Sequence, residues 1–331
     1  MRLLLKSSAE VGDVLQINKM NILLLGSNGF IGSHLTNLLF KEGHNTIGFG
    51  RGAPSQNVSY THYIQSDFIS CVDFLDILND FEIDIVYQLV STSIPSSDTD
   101  RIQQGIIDNV FPTLRLLEAM RNSKRSKSLI FGSSGGAIYG NLDSPNKMHE
   151  SLPTKPICAY GIQKLTIENY LRLYASNYNL RCISARIANP YGLGGAKREM
   201  QGIIPILLKK NFLDEPITLF GNTVRDYIHI SDVVDCLSRL ISKDFESDVL
   251  NVGSGVGTSL SCLIKIIEKV SGQPFKRKII LPKRNFDIQN NVLDITLAEK
   301  SLHWQPKIQL EEGIRALWRE MLTSGALKKF A

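Results

Sequence analysis

Tyr160 and Lys164 are the two residues whose types and spacing point most directly to chemistry. Residues four apart on a helix lie on the same face, so the phenol and the ammonium group would be neighbours. A phenol with its ordinary pKa of ~10 is a poor base. An ammonium group ~4 Å away contributes ~4 kcal/mol at an effective dielectric constant of ~20, enough to bring the pKa of the phenol towards neutrality. The pair therefore predicts a tyrosine that acts as a general base.

Two hydroxyl groups in the segment 131–140 (FGSSGGAIYG) are candidates for a third catalytic group. A hydroxyl at the carboxyl end of a parallel strand faces the ligand crevice of an open α/β sheet. Either serine could share a hydrogen bond with Tyr160 and a substrate hydroxyl. Ser134 is the preferred candidate and Ser133 the reserve, and the alternative for each is an ordinary turn serine.

The spacing Gly26-x-x-Gly29-x-x-Gly32 predicts a dinucleotide site. It follows the apolar run Asn21–Leu25 and opens a helical pattern, which is the context that makes a glycine motif informative. The first glycine allows a tight turn, the second lets backbone N–H groups approach a pyrophosphate, and the third lets the helix pack closely. The predicted cofactor site includes Asn28, Phe30 and Ile31 within this turn, and Lys164, which would hydrogen-bond the nicotinamide ribose.

The choice between NAD and NADP stays open on the sequence, with NAD as the first choice. NAD-binding proteins usually place an acidic residue at the end of the second strand, whereas this chain has Gly50-Arg51 there. Arg51 could meet a 2′-phosphate or stack on adenine. Asp67, followed by Phe68, is predicted to contact the adenine amino group, and its alternative role is a helix N-cap.

Alternating strands and helices must position these residues. Apolar runs predict strands at Asn21–Leu25, 46–49, 83–90, 128–131 and Arg181–Ile187, separated by helices that include 106–120 and 157–178. This alternation predicts an α/β fold, a Rossmann-type doubly wound parallel sheet. Beyond residue 189 this regular alternation ends, and shorter elements follow. We therefore expect a loose extension over residues 1–19, a dinucleotide-binding domain over 20–188, and a smaller, mainly substrate-binding region over 189–331 with some segments returning to the sheet.

The composition excludes several other classes of protein. The 331 residues are 43% hydrophobic and 21% charged, which is globular rather than disordered. The net charge of +5 is spread along the chain, too thinly for a nucleic-acid face. Five widely spaced cysteines predict free thiols in a reducing cytoplasm and no metal site. No apolar run approaches the ~20 residues of a membrane helix, and no signal peptide is expected.

Together these motifs resemble the extended short-chain dehydrogenase/reductase family, in particular its NAD-dependent nucleotide-sugar epimerase/dehydratase branch (UDP-glucose 4-epimerase-like). The resemblance covers nearly everything after Met20. Besides the glycine turn, the serines and the Tyr/Lys pair, it includes segments 108–118 (DNVFPTLRLLE), 186–192 (RIANPYG), 219–229 (LFGNTVRDYIH), 250–254 (LNVGS) and 284–287 (RNFD).

The resemblance implies roles for further residues. Leu89, Val90 and Ser91 would line the cofactor after the fourth strand, Ser93 would reach the ligand, and Asn109 would stabilise the wall of the cofactor and active site. Asn189 would contact the sugar or its phosphate. Arg225 and Arg284 would hold the nucleotide diphosphate, with an ion pair to Asp226 as the alternative for Arg225.

The sequence also departs from this family. Sugar dehydratases place Asp-Glu directly after the catalytic threonine, whereas Ser134 is followed by Gly135-Gly136-Ala137, so dehydration is not expected. Aligned backwards from Ile138-Tyr139-Gly140, Gly135 falls at the family's hydroxyl position. The loop Gln88-Leu-Val-Ser-Thr-Ser also lacks the alanine-rich pattern of relatives.

The leading hypothesis is therefore an epimerase that inverts C4 of a UDP-hexose or UDP-N-acetylhexosamine through a 4-keto sugar with bound NAD. The first alternative is an NAD(P)-dependent reductase of a keto nucleotide sugar, and the second is a dinucleotide-sensing protein without turnover. The resemblance also implies a role in polysaccharide supply and a homodimer formed through the apolar faces of 106–120 and 157–178. The alternative for those faces is core packing.

Overall fold

The computed structural model describes residues 19–93, 102–141, 147–194, 202–284, 287–324 and 327, so most of the expected N-terminal extension lies outside the described residues. Its centre is a parallel sheet of seven strands: β1 (Asn21–Leu25), β2 (Asn45–Gly50), β3 (His62–Gln65), β4 (Ile85–Gln88), β5 (Ser128–Ser134), β6 (Arg181–Ile187) and β10 (Val249–Val252). Their order across the sheet is β3-β2-β1-β4-β5-β6-β10. The predicted doubly wound α/β fold is confirmed.

The central strands are apolar along their whole length because helices cover both faces of the sheet. Successive side chains alternate between the faces. Ile22 and Leu24 pack into one core with helices α1 (Phe30–Lys41) and α7 (Ile230–Arg239). Leu23 and Leu25 pack into the other, with α2 (Phe74–Asp80), α4 (Phe111–Asn122) and α5 (Ala159–Tyr178).

The helix expected over residues 106–120 has a different form. It consists of the short helix α3 (Ile102–Gly105), a π-helical turn at Ile106–Val110, and α4. Pro112 has no N–H to donate, so the regular hydrogen-bond ladder is interrupted at the start of α4. The wider turn holds Asn109 buried, at 4% exposure.

Three other predicted boundaries are also corrected. The fourth strand covers only Ile85–Gln88, because its pairing with both β1 and β5 begins at Ile85 and ends at Gln88. The fifth strand continues to Ser134, since it pairs with β6 along its whole length. Helix α5 begins at Ala159 rather than at residue 157, because Cys158 is extended.

Several of the elements after β6 form a third apolar core beside the main sheet, whereas others pack into the first core. One small sheet joins β7 (Asn189–Tyr191), β9 (Val224–His229), β11 (Gly257–Ser259) and β13 (Asn290–Asn291), and another joins β8 (Ile217–Phe220) and β12 (Lys278–Leu281). The helices of this core are α6 (Ile203–Phe212), α8 (Leu260–Ser271) and α10 (Leu310–Thr323), whereas α9 (Thr296–Leu302) packs into the first core. Strand β10 lies in the main sheet beside β6.

All five cysteines are unbonded, as predicted. Among the described residues, no helix combines the length and apolar character that crossing a bilayer requires.

Candidate active site

The crevice for a ligand lies where β1 and β4 are neighbours. The sheet grows outward from this pair in both directions. Open α/β sheets bind ligands at the carboxyl ends of their strands at such a switch point. The glycine turn follows β1, residues 89–93 follow β4, and Ser134 ends β5, so all three reach the same edge.

The glycine turn leaves no space for side chains. Gly26 has a φ of +85°, and a Cβ there would lie 3.2 Å from backbone atoms of Leu89 and Val90. A Cβ on Gly32 would lie 2.1 Å from the carbonyl oxygen of Gly26, and one on Gly29 3.0 Å from it. The backbone at the start of α1 is therefore bare, which suits a bound pyrophosphate.

The side chain of Asn28, in the glycine turn, holds the loop after β2 through hydrogen bonds. Its amide oxygen accepts a hydrogen bond from Tyr60, and its amide nitrogen donates to Tyr63 and to the carbonyl of Ala53. Arg51 is exposed at the end of β2, and its carbonyl accepts a hydrogen bond from Gln65. The loop is thus fixed beside the position where the adenosine ribose of a dinucleotide would lie.

Asp67 follows β3 and accepts a hydrogen bond from the backbone N–H of Ile69 at 3.2 Å. Helix α2 begins only at Phe74, with Asp73 in the N-cap position, so Asp67 does not cap that helix. The side chain of Phe68 is buried, and its ring lies 5.7 Å from that of Phe74. Any contact from Phe68 to a cofactor would therefore come from its backbone.

Tyr160 and Lys164 occupy the first two turns of α5, on one face as predicted. The ammonium nitrogen of Lys164 lies 5.7 Å from the centroid of the Tyr160 ring and donates to the carbonyl of Gly132 at 2.8 Å. Burial lowers the pKa of Lys164 to about 8, against an opposing effect of Glu168. Gly161 permits this placement, since a Cβ there would lie 2.7 Å from the carbonyl oxygen of Ala137.

The two candidate serines have different surroundings. The Ser133 hydroxyl donates to Glu168 at 2.6 Å inside a buried cluster. Adjacent residues of a strand point to opposite faces, so Ser134 is directed away from that cluster. A Cβ built on Gly136 would lie 3.9 Å from the Ser134 hydroxyl and 3.8 Å from the amide oxygen of Asn189. Ser134 and Asn189 therefore border one small space, with no side chain from Gly136 in it.

Gly135 is enclosed, unlike Gly136. A Cβ on Gly135 would lie 2.6 Å from a methyl of Leu293 and 2.9 Å from the carbonyl oxygen of Arg186. Gly135 aligns with the position where the family carries its catalytic hydroxyl, and a larger side chain does not fit there in this chain. The catalytic hydroxyl must therefore come from another residue. Ser134 is the remaining candidate of the three positions considered.

The two arginines predicted to bind a diphosphate both interact electrostatically with Asp287, and Arg284 also forms hydrogen bonds with it. Arg284 pairs with Asp287 through two hydrogen bonds of 2.9 Å, and its guanidinium lies over the ring of Phe220 at 4.7 Å. Burial lowers the pKa of Arg225, while the charges of Tyr227 and Asp287 oppose this. The guanidinium of Arg225 donates to the carbonyl of Val224.

Asp226 is not the partner of Arg225, so the alternative ion pair is wrong. The carboxylate of Asp226 accepts hydrogen bonds from the backbone N–H groups of Ser254, Gly255 and Leu293 and from the Ser254 hydroxyl. The carbonyl of Asp226 accepts a bond from Asn189 at 2.9 Å. Asp226 therefore anchors the wall behind Asn189.

A comparison with known protein families identifies the family of the chain. A model of the NAD-dependent epimerase/dehydratase family matches residues 22–253. The chain belongs to that family. It is 30% identical over 311 residues to the dTDP-4-dehydro-6-deoxyglucose reductase of Escherichia coli, with 90% of this chain and 96% of that protein covered.

Solved structures of UDP-glucose 4-epimerases are also similar to this epimerase/dehydratase-family chain. The Thermotoga maritima enzyme with UDP-glucose has a TM-score of 0.86 and 28% identity. The Thermus thermophilus enzyme with NAD has a TM-score of 0.82 and 26% identity. In each case the match covers 92% of this chain and 99% of the other.

Sequence reasoning missed Gln163, which contacts two of the predicted site residues. Its amide oxygen accepts hydrogen bonds from Ser93 at 2.9 Å and from Asn109 at 3.3 Å. Asn109 also accepts from the backbone of Thr92 and donates to the Thr92 hydroxyl, and Ser91 donates to the carbonyl of Ser93. The loop after β4 is thus tied to the catalytic helix. The signal was present in the sequence, since Gln163 lies three residues after Tyr160 on a similar face.

Asn291 was also missed. It is fully buried, donates to the carbonyl of Gly135 at 2.9 Å, and its amide oxygen has no hydrogen-bond partner among the described residues. It lies in a two-residue strand paired with Arg225. No local pattern marks so short a strand.

Proposed function

We propose that this chain is an epimerase that inverts C4 of a UDP-hexose or UDP-N-acetylhexosamine with bound NAD. The observation that carries the proposal is that one chain combines Tyr160 paired with buried Lys164 and a glycine turn with space only for backbone. Two similar structures are named as UDP-glucose 4-epimerases, which supports the same reaction.

In the proposed mechanism, Lys164 stabilises Tyr160 as the phenolate, and this phenolate accepts the proton of the sugar 4-hydroxyl and becomes the phenol. Ser134 hydrogen-bonds the same hydroxyl and holds it towards Tyr160. The chemistry that NAD supplies when bound is reversible acceptance of a hydride from C4. Tyr160 then returns its proton to the oxygen of the keto sugar after the sugar has turned over. No net oxidation occurs, so one cofactor serves many turnovers.

Arg225 and Arg284 hold the diphosphate during this rotation. Guanidinium groups suit phosphate oxygens because they form two parallel hydrogen bonds. Asp287 keeps Arg284 oriented in the free protein through its paired hydrogen bonds. The sugar is attached only through this tether and through contacts such as Asn189, so it is free to present either face.

NAD is the proposed cofactor, with the residues of the glycine turn as its cradle. The T. thermophilus neighbour is described with NAD. Asp67 would contact the adenine, and Leu89, Val90 and Ser91 would line the site. Arg51, exposed at the end of β2, keeps NADP as the alternative because a guanidinium suits a 2′-phosphate. Five free thiols suit the reducing cytoplasm as the compartment.

A reductase of a keto nucleotide sugar is the second candidate. The E. coli relative named as a dTDP-4-dehydro-6-deoxyglucose reductase favours it. The same Ser134, Tyr160 and Lys164 would then protonate the oxygen of a keto sugar as hydride arrives. A reductase consumes one reduced cofactor in each turnover, whereas an epimerase consumes none.

The test is incubation of the purified protein with UDP-glucose, UDP-N-acetylglucosamine and UDP-glucuronic acid without added cofactor, followed by proton NMR of the sugar. An epimerase produces the C4 epimer of at least one of them until equilibrium is reached. Turnover of keto sugars only, with stoichiometric loss of reduced cofactor, would move the assignment to the reductase.

The space between Ser134 and Asn189 allows a test of the sugar site. Gly136→Ala is expected to lower kcat/KM about tenfold, because a methyl in a fitted pocket is worth ~1–3 kcal/mol. Its free energy of unfolding should change little, since the new Cβ has only ordinary contacts. Gly135→Ala is the matched comparison and should lose ~1–3 kcal/mol of stability by overpacking against Leu293. Equal destabilisation by both, with unchanged kcat/KM for Gly136→Ala, would contradict the assignment.

We also propose that two copies associate through α3, the π-helical turn, α4 and α5. These neighbouring segments bury one face in the core. They and the residues just before α5 leave large apolar side chains exposed: Ile102, Ile106, Ile107, Phe111, Ile157, Ile162, Tyr170 and Leu173. Exposed apolar area of this extent marks an interface.

Sedimentation velocity is expected to give a mass twice the 36.9 kDa of one chain. Ile162→Glu, at a side chain that is 53% exposed, should shift the protein to monomer, because a charge would be buried in the interface. Ile280→Glu, at an even more exposed side chain on β12, is the control and should leave the dimer intact. A monomeric wild-type protein would refute the dimer.

A further inference from the structure

Glu168 lies one helical turn after Lys164, in the most deeply buried charged cluster among the described residues. Its carboxylate accepts the Ser133 hydroxyl at 2.6 Å and three hydrogen bonds from Arg186, at 2.7, 3.1 and 3.3 Å. The side chains of Arg186 and Glu168 are 3% and 0% exposed. A buried pair of this kind is a weak source of net stability, so its presence beside the catalytic helix calls for another explanation.

The cluster connects the elements that carry the catalytic groups. Ser133 adjoins Ser134 on β5, Glu168 lies on α5 with Lys164, and Arg186 lies near the end of β6. Arg186 also donates to the hydroxyl of Tyr139. The cluster therefore fixes α5 against the carboxyl end of β5, which sets the position of Lys164 relative to the serine turn.

Lys164 has few other charges around it. Its ammonium group contacts the Gly132 carbonyl and lies 4.6 Å from the centroid of the Phe131 ring, and neither group is ionisable. Burial lowers the pKa of Lys164, and among the described residues Glu168 supplies the opposing charge. Arg186 is the charged group that pairs with Glu168. Burial acts to lower the pKa of the Arg186 guanidinium, but the hydrogen bonds and the charge of Glu168 raise it.

We propose that Glu168 is a positioning residue that keeps Lys164 in its ammonium form, so that the proton lost from the pair comes from Tyr160. The inference rests on the proposed roles of Tyr160 and Lys164. When the pair loses one proton, it exists either as phenolate with ammonium or as phenol with neutral amine. Glu168 is one turn from Lys164 and two turns from Tyr160, so its negative charge favours the first form. Only that form contains the base.

The test is a spectroscopic titration of Tyr160 that needs no substrate. Phenolate absorbance is recorded against pH for the wild-type protein and for Tyr160→Phe, and the difference isolates Tyr160. The background is low because the pKa of seven of the ten tyrosines is raised, namely Tyr60, Tyr63, Tyr87, Tyr139, Tyr174, Tyr191 and Tyr227. In Glu168→Gln, the ratio of the two forms is expected to move about tenfold towards neutral amine. The phenolate signal near pH 8 should then fall by at least half.

Glu168→Gln leaves Arg186 buried without a charged partner and can fail to fold. The double variant Glu168→Gln/Arg186→Met removes both charges and is expected to lose phenolate signal in the same direction. Asp232→Asn is the control, because Asp232 is a buried carboxylate on α7 that accepts two backbone N–H groups. It should lower stability without changing the Tyr160 titration.

The outcomes separate this inference from the function on which it rests. An unchanged Tyr160 titration in a folded Glu168 variant would overturn the role of Glu168 and leave Tyr160 as the base. Absence of Tyr160 phenolate below about pH 9 in the wild-type protein would overturn the base assignment itself.

Discussion

Tyr160→Phe is expected to lower kcat for epimerisation by at least about 10³-fold while the bound cofactor is retained. The substitution removes one oxygen atom and keeps the packing of the ring. The hydrogen bond from Lys164 to the carbonyl of Gly132 also remains. The loss is large because proton transfer by a positioned side chain contributes roughly 10²–10⁴-fold. The measurement is the initial rate of C4 inversion by NMR, together with the amount of nucleotide released on denaturation.

Tyr170→Phe is the matched control for this experiment. Tyr170 lies on the same helix and is 37% exposed, and the same atom is removed. Its kcat should stay within about twofold of wild type, since the ring that would pack in the proposed dimer interface is kept and only an exposed hydroxyl is lost. A Tyr160→Phe enzyme that retains more than a tenth of wild-type activity would show that another group acts as the base.

Gly32→Ala is expected to reduce the cofactor retained after purification to less than about a tenth of the wild-type amount. The new Cβ would lie 2.1 Å from the carbonyl oxygen of Gly26 and 2.9 Å from its carbon, so the glycine turn must open or α1 must move. Either change displaces the N–H groups that the helix start offers to the pyrophosphate. Retained nucleotide is measured by mass spectrometry, and the thermal midpoint by calorimetry.

Gly52→Ala is the control for the glycine turn. No atom lies within 4 Å of a Cβ built on Gly52, so both cofactor retention and stability should be unchanged. If Gly32→Ala kept its nucleotide at wild-type occupancy, the turn would not be the pyrophosphate cradle, and the predicted cofactor site would be wrong.

Local motifs made the fold, and the shared helix face of Tyr160 and Lys164, predictable. The glycine turn needs only a strand before it and a helix after it, and both are read from a short apolar run and a 3.6-residue pattern. Tyr160 and Lys164 face one way because helical spacing requires it. These features depend only on residues that are close together in the sequence, and the structure has them at the predicted positions.

The other features of the site could not be predicted, because they depend on contacts between segments that are distant in the sequence. Whether Gly135 can carry a side chain depends on Leu293, which lies far along the chain but packs against it. The direction of Ser133 depends on Glu168, and the π-helical turn that buries Asn109 depends on the start of α4. Asn291 approaches Gly135 only because β13 pairs with β9. No periodicity in the sequence carries such information.

The nucleotide that copurifies with the protein tests the central claim most directly. The protein is purified without added cofactor, denatured, and its released nucleotide identified and quantified by mass. An epimerase that regenerates its cofactor in every cycle predicts NAD at close to one molecule per chain. Protein that is empty, and that then binds NADPH in preference to NAD, would contradict the account and would favour the reductase with Arg51 at the 2′-phosphate.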